Sequence, residues 1–446
     1  MKYNIITIFL ILTGGSFSAS AQTFPLMENS WQDPAFVKRF MGSYGIHSEI
    51  EPRVSMDERD QLSSIVSLVD KDIDGAIQKL SKIARPESSA VFDFLLGQMY
   101  LQTGKYQKAV FEYEIAIRKF PEFLRAYKNI GIAHIQLNQC GKARPHILKV
   151  MEMGGADGLS YGFLGHCYLQ DEKYAAALKA YKMASLFQPD YHDWKSGEAQ
   201  ASLLAEKYND AIILLDELIM DNPGEAKYWM MQANAYMALE DNVRATANLE
   251  VVKRMDKATA QSLLLLGNLY MADGMSKLAY PAFSAALEKK ERPDFKKARK
   301  AFDYLAADKN WPAATRFLAD IKKAYPEKNF QIMEAYLEIG KGNVKRAARI
   351  LKAIVARDPM NGKVLMLLAH NYREQNDFER AEFMYERAAR LDGFTYEALR
   401  MNARMAVGQN RLRHGLGLLQ AAAKIKSDDI LQQNIRILKN ALKAKL

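Results

Sequence analysis

The stretch Leu95–Tyr100, which reads LLGQMY, decides the fold because the small residue inside it recurs every 34 residues along the chain. This first small series consists of Ser63, Gly97, Gly131, Gly165, Ala199, Ala233, Gly267, Ala301, Ala335, Ala369 and Ala403. A second small series lies twelve residues after the first and consists of Gly75, Ala109, Ala143, Ala177, Ala211, Ala245, Ala279, Ala313, Ala347, Ala381 and Gly415. A constant period between about 20 and 50 residues is typical of a solenoid of stacked supersecondary units.

Large residues accompany both small series at fixed distances. Three residues after the first series, tyrosine recurs at Tyr100, Tyr168, Tyr236, Tyr270, Tyr304 and Tyr372. Four residues after the second series, a large apolar residue recurs at Tyr113, Ile147, Tyr181, Leu215, Leu249, Phe283, Phe317, Leu351, Tyr385 and Leu419. Because small residues allow two helices to pack closely, each period predicts a pair of packed helices.

This pattern resembles the tetratricopeptide repeat family, whose unit is a helix–turn–helix of 34 residues. The resemblance covers residues 56–429, about eleven units without a net insertion, and it implies an all-α fold, a right-handed α-solenoid. Glu288–Ala307 is the weakest part, because Lys297 and Lys300 fall where apolar residues are expected. We expect the first helix there to be shifted or partly exposed. Residues 430–446 predict an amphipathic capping helix, with Ile430, Ile435, Ile437 and Leu438 covering the last apolar face.

The N-terminal residues 1–21 have the pattern of a secretory signal peptide. Lys2 precedes an apolar stretch, Ile5–Leu12, and Ala19-Ser20-Ala21 forms a small-x-small cleavage site. We therefore expect export to the periplasm or the exterior of a bacterial cell, with an uncleaved membrane anchor as the alternative. Residues 22–55 lie outside the repeats and contain several aromatics, so we expect an irregular segment. Within it, Pro34–Ser43 predicts a short helix that shields the first repeats, or alternatively a docking peptide.

The chain shows no pattern of catalytic or metal-binding residues. Its seven histidines are scattered without metal-ligand spacing, so we expect no metal, no cofactor and no enzyme activity. Cys140 is predicted in a turn and Cys167 inside the next first helix. Since these positions should lie at different heights along the stack, we expect two free thiols rather than a disulfide.

The resemblance implies that first helices line a concave groove, and polar residues recur on the side that should face it. We call these residues the polar row: Gln98, Gln102, Gln136, His166, Gln170, Gln200, Asn234 and Asn268. An amide presents both a donor and an acceptor, as does each residue of an extended peptide. The row is therefore a candidate peptide-binding surface. The alternative is an ordinary solvated helix face.

Charge is unevenly distributed along the chain. Residues 284–446 contain 33 Lys and Arg against 19 Asp and Glu, whereas the whole chain has a net charge of +10. Three of these cations share one face of a second helix at spacings of four and three, and we call them the basic stripe: Lys345, Arg349 and Lys352. They could contact an anionic polymer or membrane surface, or they are simply solvated.

Together these patterns favour an exported, non-catalytic scaffold that binds other proteins or extended peptide segments and supports an envelope or secretion complex. The alternative is a protein that binds a polyanion or a membrane surface through its basic C-terminal half. A helper module of a separately encoded enzyme is a third hypothesis. Nucleic acid is an unlikely partner.

Overall fold

A computed structural model describes residues 51–69 and 71–443, and these residues form 23 α-helices and no strand. The predicted all-α repeat fold is confirmed. The signal peptide, most of the irregular segment with its predicted helix Pro34–Ser43, and the last three residues lie outside the described residues. None of the described helices combines the length and the apolar character that a membrane span requires.

The chain divides into two compact units, the first ending at Asp241 and the second beginning at Asn242. Unit 1 contains α1 Met56–Val69, α2 Ile73–Ile83, α3 Ala90–Gln102, α4 Tyr106–Lys119, α5 Leu124–Gln136, α6 Cys140–Glu152, α7 Gly158–Gln170, α8 Tyr174–Phe187, α9 His192–Leu204, α10 Tyr208–Asp221 and α11 Ala226–Ala238. Odd-numbered helices are the first helices of the repeats, and even-numbered helices are the second.

Unit 2 continues the same alternation. It contains α12 Asn242–Arg254, α13 Ala260–Ala272, α14 Ser276–Glu288, α15 Phe295–Ala307, α16 Trp311–Ala324, α17 Gln331–Gly340, α18 Val344–Arg357, α19 Gly362–Glu374, α20 Phe378–Ala389, α21 Thr395–Gly408, α22 Leu412–Ile425 and α23 Asp429–Lys443.

Both described ends of the chain pack against the repeats. Near the N-terminus, Glu51 pairs with Arg125 of α5 at 2.6 Å. At the other end, Leu431, Ile435 and Leu438 are the buried residues of α23. Ile430 and Ile437, which were expected to help cover the apolar face, are instead 68% and 57% exposed, so that part of the prediction is wrong.

The two helices of a repeat are joined by a turn that contains a residue with positive φ. These residues are Gly104, Asn138, Glu172, Glu206, Glu240, Gly274, Lys309, Gly342, Asn376 and Asn410. They follow the 34-residue period, and each lies seven positions after a member of the first small series, except at Lys309. Glycine adopts the left-handed region readily because it lacks the Cβ that would approach the following carbonyl oxygen, and asparagine is tolerated there because its side chain can hydrogen-bond locally. The glutamates and the lysine at this turn lack both advantages.

The displaced residue Lys309 marks a shift of one position in α15 and α16. Phe302 is fully buried here, as are Ala314 and Leu318, whereas Lys297 and Lys300 are exposed. The expected shift of this first helix is therefore observed. It also corrects the two small series at this repeat, where Phe302 and Ala314 occupy the places assigned to Ala301 and Ala313. The period returns at Gly342, so one long spacing and one short spacing cancel.

The first repeat departs from the pattern in another way. Ser63 is exposed and Gly75 is only half-buried, so neither lies in a close helix contact. Ala76, one position later, is completely buried instead. Terminal repeats of such arrays have one helix face without a neighbour, so fewer of their positions are constrained.

Each glycine of the first small series packs against the large residue of its partner helix. A Cβ built on Gly97 would lie 2.7 Å from the Tyr113 ring, and one built on Gly267 would lie 2.3 Å from the Phe283 ring. Distances under 3.0 Å require the ring to move. These glycines are thus required by a large side chain lying on the helix backbone, and not only by the approach of two backbones.

Tyr181 is enclosed by glycine on both sides. A Cβ on Gly165 would lie 2.8 Å from Cγ of Tyr181, and a Cβ on Gly197, in the next repeat, would lie 2.4 Å from its Cε1. The ring is only 3% exposed. One tyrosine therefore fixes the distance between α7, α8 and α9.

We expect Gly165→Ala to lower the free energy of unfolding by about 1–3 kcal/mol, because a methyl group cannot enter without displacing the Tyr181 ring. The matched control is Gly141→Ala. Gly141 lies on α6, is exposed, and has no atom within 4 Å of its added Cβ. Urea unfolding measures the free energy of unfolding of both variants, and hydrogen exchange shows which helices loosen. Loosening is expected first in α7–α9, since repeats contact mainly their neighbours. Equal effects of the two substitutions would contradict the proposed packing.

Candidate functional site

Seven members of the polar row lie on first helices of unit 1, and Asn268 lies on α13 of unit 2. In unit 1, the members are half-buried or exposed, whereas most of their neighbours on the same helices are buried. Helix α3 carries Gln98 and Gln102, α5 carries Gln136, α7 carries His166 and Gln170, α9 carries Gln200 and α11 carries Asn234. Each first helix of unit 1 from α3 onward thus contributes at least one polar side chain.

Gln98 is held by residues of its own repeat and of the next one. Asn129 of α5 donates from Nδ2 to Oε1 of Gln98 at 2.8 Å, and the hydroxyl of Tyr113 donates to the same oxygen at 3.2 Å. This tyrosine is also the ring that packs on Gly97. The amide is therefore fixed in orientation by the packing that holds the repeat together.

Gln170 makes a second link between consecutive repeats. Its Nε2 donates to Oδ1 of Asn138, the residue with positive φ in the preceding repeat, and lies 3.2 Å from Nε2 of His166. Burial lowers the pKa of His166 to about 4, so its imidazole is neutral at pH 7. With the glutamine amide as donor, Nε2 of the imidazole accepts and Nδ1 carries the proton.

Four other members of the row differ from these two. Among residues 51–69 and 71–443, no side-chain hydrogen bond or ion pair involves Gln102, Gln200, Asn234 or Asn268. Gln102 and Gln200 are exposed, and the two asparagines are half-buried. Unit 1 therefore combines amides that are fixed between repeats with amides whose donors and acceptors are unused by the described chain.

Sequence reasoning missed Asn129 and Asn138, which orient Gln98 and Gln170. Asn138 could have been found from its place seven residues after Gly131, the position of the recurring turn. Asn129 stands where the adjacent repeats have Leu95 and Phe163. A polar residue between two repeats with an apolar residue at this position was the signal there.

A second polar cluster in unit 1 consists of two stacked histidine rings and a glutamine. The rings of His134 and His146 stack with centroids 5.9 Å apart, and Nδ1 of His134 lies 3.0 Å from Oε1 of Gln139. Burial lowers the pKa of both histidines. In the described part of the chain, no group of three His, Cys, Asp or Glu side chains could hold a metal ion.

A shallow depression of about 350 Å³ lies on the surface of α3 and α4, lined by Tyr100, Gln107, Lys108, Phe111 and Glu112. Burial, and after it the nearby Asp93 carboxylate, raises the pKa of Glu112 to about 7. Asp93 itself pairs with Lys119 at 2.6 Å. This arrangement explains the unusual carboxyl group as a product of packing beside an ion pair.

The basic stripe lies on α18 in unit 2. Lys345, Arg349 and Lys352 are all exposed, and none of them has a carboxylate oxygen within 4.0 Å among the described residues. The ammonium group of Lys352 lies 5.5 Å from the centre of the Tyr372 ring. The stripe therefore presents three cations to solvent on one helix face.

The two cysteines are closer together than the sequence suggested. Cys140 is the first residue of α6 and does not lie in a turn, and Cys167 lies on α7. Both thiols are free and buried, and they belong to the same buried cluster. The expectation that they lie at different heights along the stack is wrong, because both side chains belong to one buried cluster.

Comparison with known proteins finds partial similarity. BBSome complex member BBS4 from Bos taurus is 28% identical over 199 residues, which is 43% of this chain and 37% of that protein. Superkiller complex protein 3 from Mus musculus is 24% identical over 231 residues, 48% of this chain and 14% of that protein. The chain thus spans less than two fifths of the length of these curated relatives.

Two solved structures are similar over about half of the chain. A tetratricopeptide repeat protein from Parabacteroides merdae is 19% identical with a TM-score of 0.40, covering 55% of this chain and 97% of that one. The C-terminal part of a TPR repeat-containing protein from Cytophaga hutchinsonii is 16% identical with a TM-score of 0.42, covering 62% and 99%.

Family models described as tetratricopeptide repeat match two separate parts of the chain. One match covers residues 94–151 in unit 1, and the other covers residues 338–401 in unit 2. Both matched parts consist of the helix pairs described above. These matches and the recurring 34-residue helix pairs identify the chain as a tetratricopeptide repeat protein.

Proposed function

We propose that the chain is an exported, non-catalytic scaffold that binds an extended polypeptide segment along the polar row of unit 1 and supports assembly of an envelope or secretion complex. Proteins of this family bind other proteins or peptides. The observation that carries the proposal is that the first helices α3, α9 and α11 present amides without a partner in the described chain, whereas Gln98 on α3 and Gln170 on α7 are fixed in place.

The two kinds of amide have different roles in this proposal. Gln98 and Gln170 each bond to an asparagine of an adjacent repeat, so they link neighbouring repeats. Gln102, Gln200 and Asn234 then offer donors and acceptors to the main chain of a peptide with little demand on its side chains. A surface that is ordered before binding loses less conformational entropy when the peptide arrives.

We expect the triple variant Gln102→Ala, Gln200→Ala and Asn234→Ala to weaken peptide binding about tenfold to a thousandfold. Each lost hydrogen bond contributes about 0.5–1.5 kcal/mol. The melting temperature is expected to change little, because these side chains make no hydrogen bond in the described chain. The probe is an unstructured peptide selected from a displayed library on the wild-type protein, with affinity measured by calorimetry.

The matched control removes three exposed amides from second helices, by Gln78→Ala, Gln107→Ala and Asn209→Ala. It is expected to bind the selected peptide as the wild type does. If both triple variants bind equally well, the peptide lies elsewhere and the polar row is only solvated surface.

Export is the second part of the proposal, and it rests on the signal-like residues 1–21. We expect the protein from cells to begin at Gln22 and to fractionate with exported proteins. N-terminal sequencing and cell fractionation measure this. Replacing Ala19 and Ala21 by phenylalanine is expected to leave an uncleaved chain, because the cleavage site requires small residues. A wild-type protein that keeps Met1 and remains inside the cell would count against export.

A second candidate function is binding to an anionic surface through the basic stripe, since three exposed cations on α18 have no carboxylate partner in the described chain. In this case, reversing Lys345, Arg349 and Lys352 to glutamate is expected to abolish binding to phosphatidylglycerol-containing vesicles at low salt while the fold persists. Reversal of the exposed Lys142, Lys179 and Lys182 in unit 1 makes the same change in net charge and is the control. Equal loss in both variants would indicate a non-specific effect of net charge.

A further inference from the structure

The two cysteines of this chain meet across the boundary between consecutive repeats. Cys140 begins α6, the second helix of one repeat, and Cys167 lies on α7, the first helix of the next. They are members of the same buried cluster, and they are 5% and 0% exposed. The chain has only these two cysteines among its 446 residues.

The repeat pattern shows that both positions differ from their neighbours together. At the position of Cys140, the neighbouring repeats have Tyr106, Tyr174 and Tyr208. At the position of Cys167, they have Ala133, Ala201 and Ala235. At three other boundaries between repeats, the two corresponding positions are a tyrosine and an alanine. Both are cysteine only at the boundary between α6 and α7.

The surroundings hold the two sulfur atoms in place and make them chemically unequal. One helical turn beyond the cysteines, Arg144 of α6 pairs with Asp171, the residue that follows α7. The contact with Cys167 lowers the pKa of the Cys140 thiol, and the same contact raises the pKa of the Cys167 thiol. Cys140 also lies at a helix N-terminus, where the backbone N–H groups stabilise a thiolate.

We propose that Cys140 and Cys167 form a reversible disulfide that covalently links α6 to α7 and so joins two consecutive repeats. The two side chains already share one buried cluster on successive helices, so the bond requires only that their sulfurs move to the covalent length of about 2.05 Å. The link would act on the same two repeats whose polar residues Asn138 and Gln170 are hydrogen-bonded, close to the cysteines in sequence.

The oxidant is a small disulfide such as oxidised glutathione. The Cys140 thiolate attacks one sulfur of glutathione disulfide, and the first glutathione leaves as a thiolate. Cys167 then loses its proton and attacks the Sγ of Cys140, which releases the second glutathione. Two protein thiols are oxidised to one disulfide, one glutathione disulfide is reduced to two thiols, and the protons pass to the departing thiolates. Cys140 reacts first because Cys167 is fully buried.

The test uses the full-length chain, reduced and then incubated with oxidised glutathione. The products are alkylated with iodoacetamide, digested and identified by mass spectrometry. We expect most chains to lose two hydrogen atoms, to escape alkylation, and to yield a cross-linked peptide pair that contains Cys140 and Cys167. Amide hydrogen exchange in α6 and α7 is expected to slow several-fold on oxidation and to recover with dithiothreitol.

The matched control is the double variant Cys140→Tyr and Cys167→Ala, which restores the residues that neighbouring repeats have at these positions. Its hydrogen exchange is expected to be unaffected by the oxidant. The proposal is overturned if the folded wild type keeps two free thiols, stops at a mixed disulfide with glutathione, or forms links between chains. Unchanged hydrogen exchange in α6 and α7 after disulfide formation would overturn the covalent stiffening of this boundary.

Discussion

The structure depends on large side chains that lie directly on the backbone of a partner helix. Gly97, Gly165 and Gly267 each face a ring that leaves no room for a methyl group. Because the ring comes from the second helix, this contact fixes how the two helices of one repeat approach each other. At Tyr181 the same ring also faces Gly197 of the next repeat, so one contact defines both the repeat and its stacking. The polar row is positioned by this packing, since the hydroxyl of Tyr113 orients Gln98.

Much of the fold could be predicted from the sequence, because the packing contact repeats with a constant period. The small residues and the large residues at fixed distances from them predicted both helices of each repeat. The shift at Phe302 was indicated by lysines in apolar positions, but its size was not. Its size is set by the turn at Lys309. A lysine in the sequence does not indicate that its backbone is left-handed, so this turn could not be located in advance.

The candidate site could be predicted only as a set of positions. Spacing placed Gln98 and Gln170 on first helices, but it did not reveal that each is hydrogen-bonded to an asparagine of an adjacent repeat. Such pairings depend on side-chain reach between repeats, which a period along one chain does not encode. That Cys140 and Cys167 share one buried cluster was missed for the same reason. Heights along a stack follow from where each helix begins, and Cys140 begins a helix rather than lying in a turn.

The compensated shift around Lys309 has a consequence for how the chain can change by recombination. Exchange between two repeats of 34 residues removes or adds a whole repeat, and every later helix keeps its apolar face toward the core. Exchange with a break inside α15 or α16 would keep the long spacing before Lys309 or the short spacing after it, but not both. The residues after the break would then be displaced by one position. One residue corresponds to about 100° of helix rotation. That rotation would turn apolar faces outward and bury charged ones. Gain or loss of repeats is therefore compatible with folding only when both breaks lie outside α15 and α16.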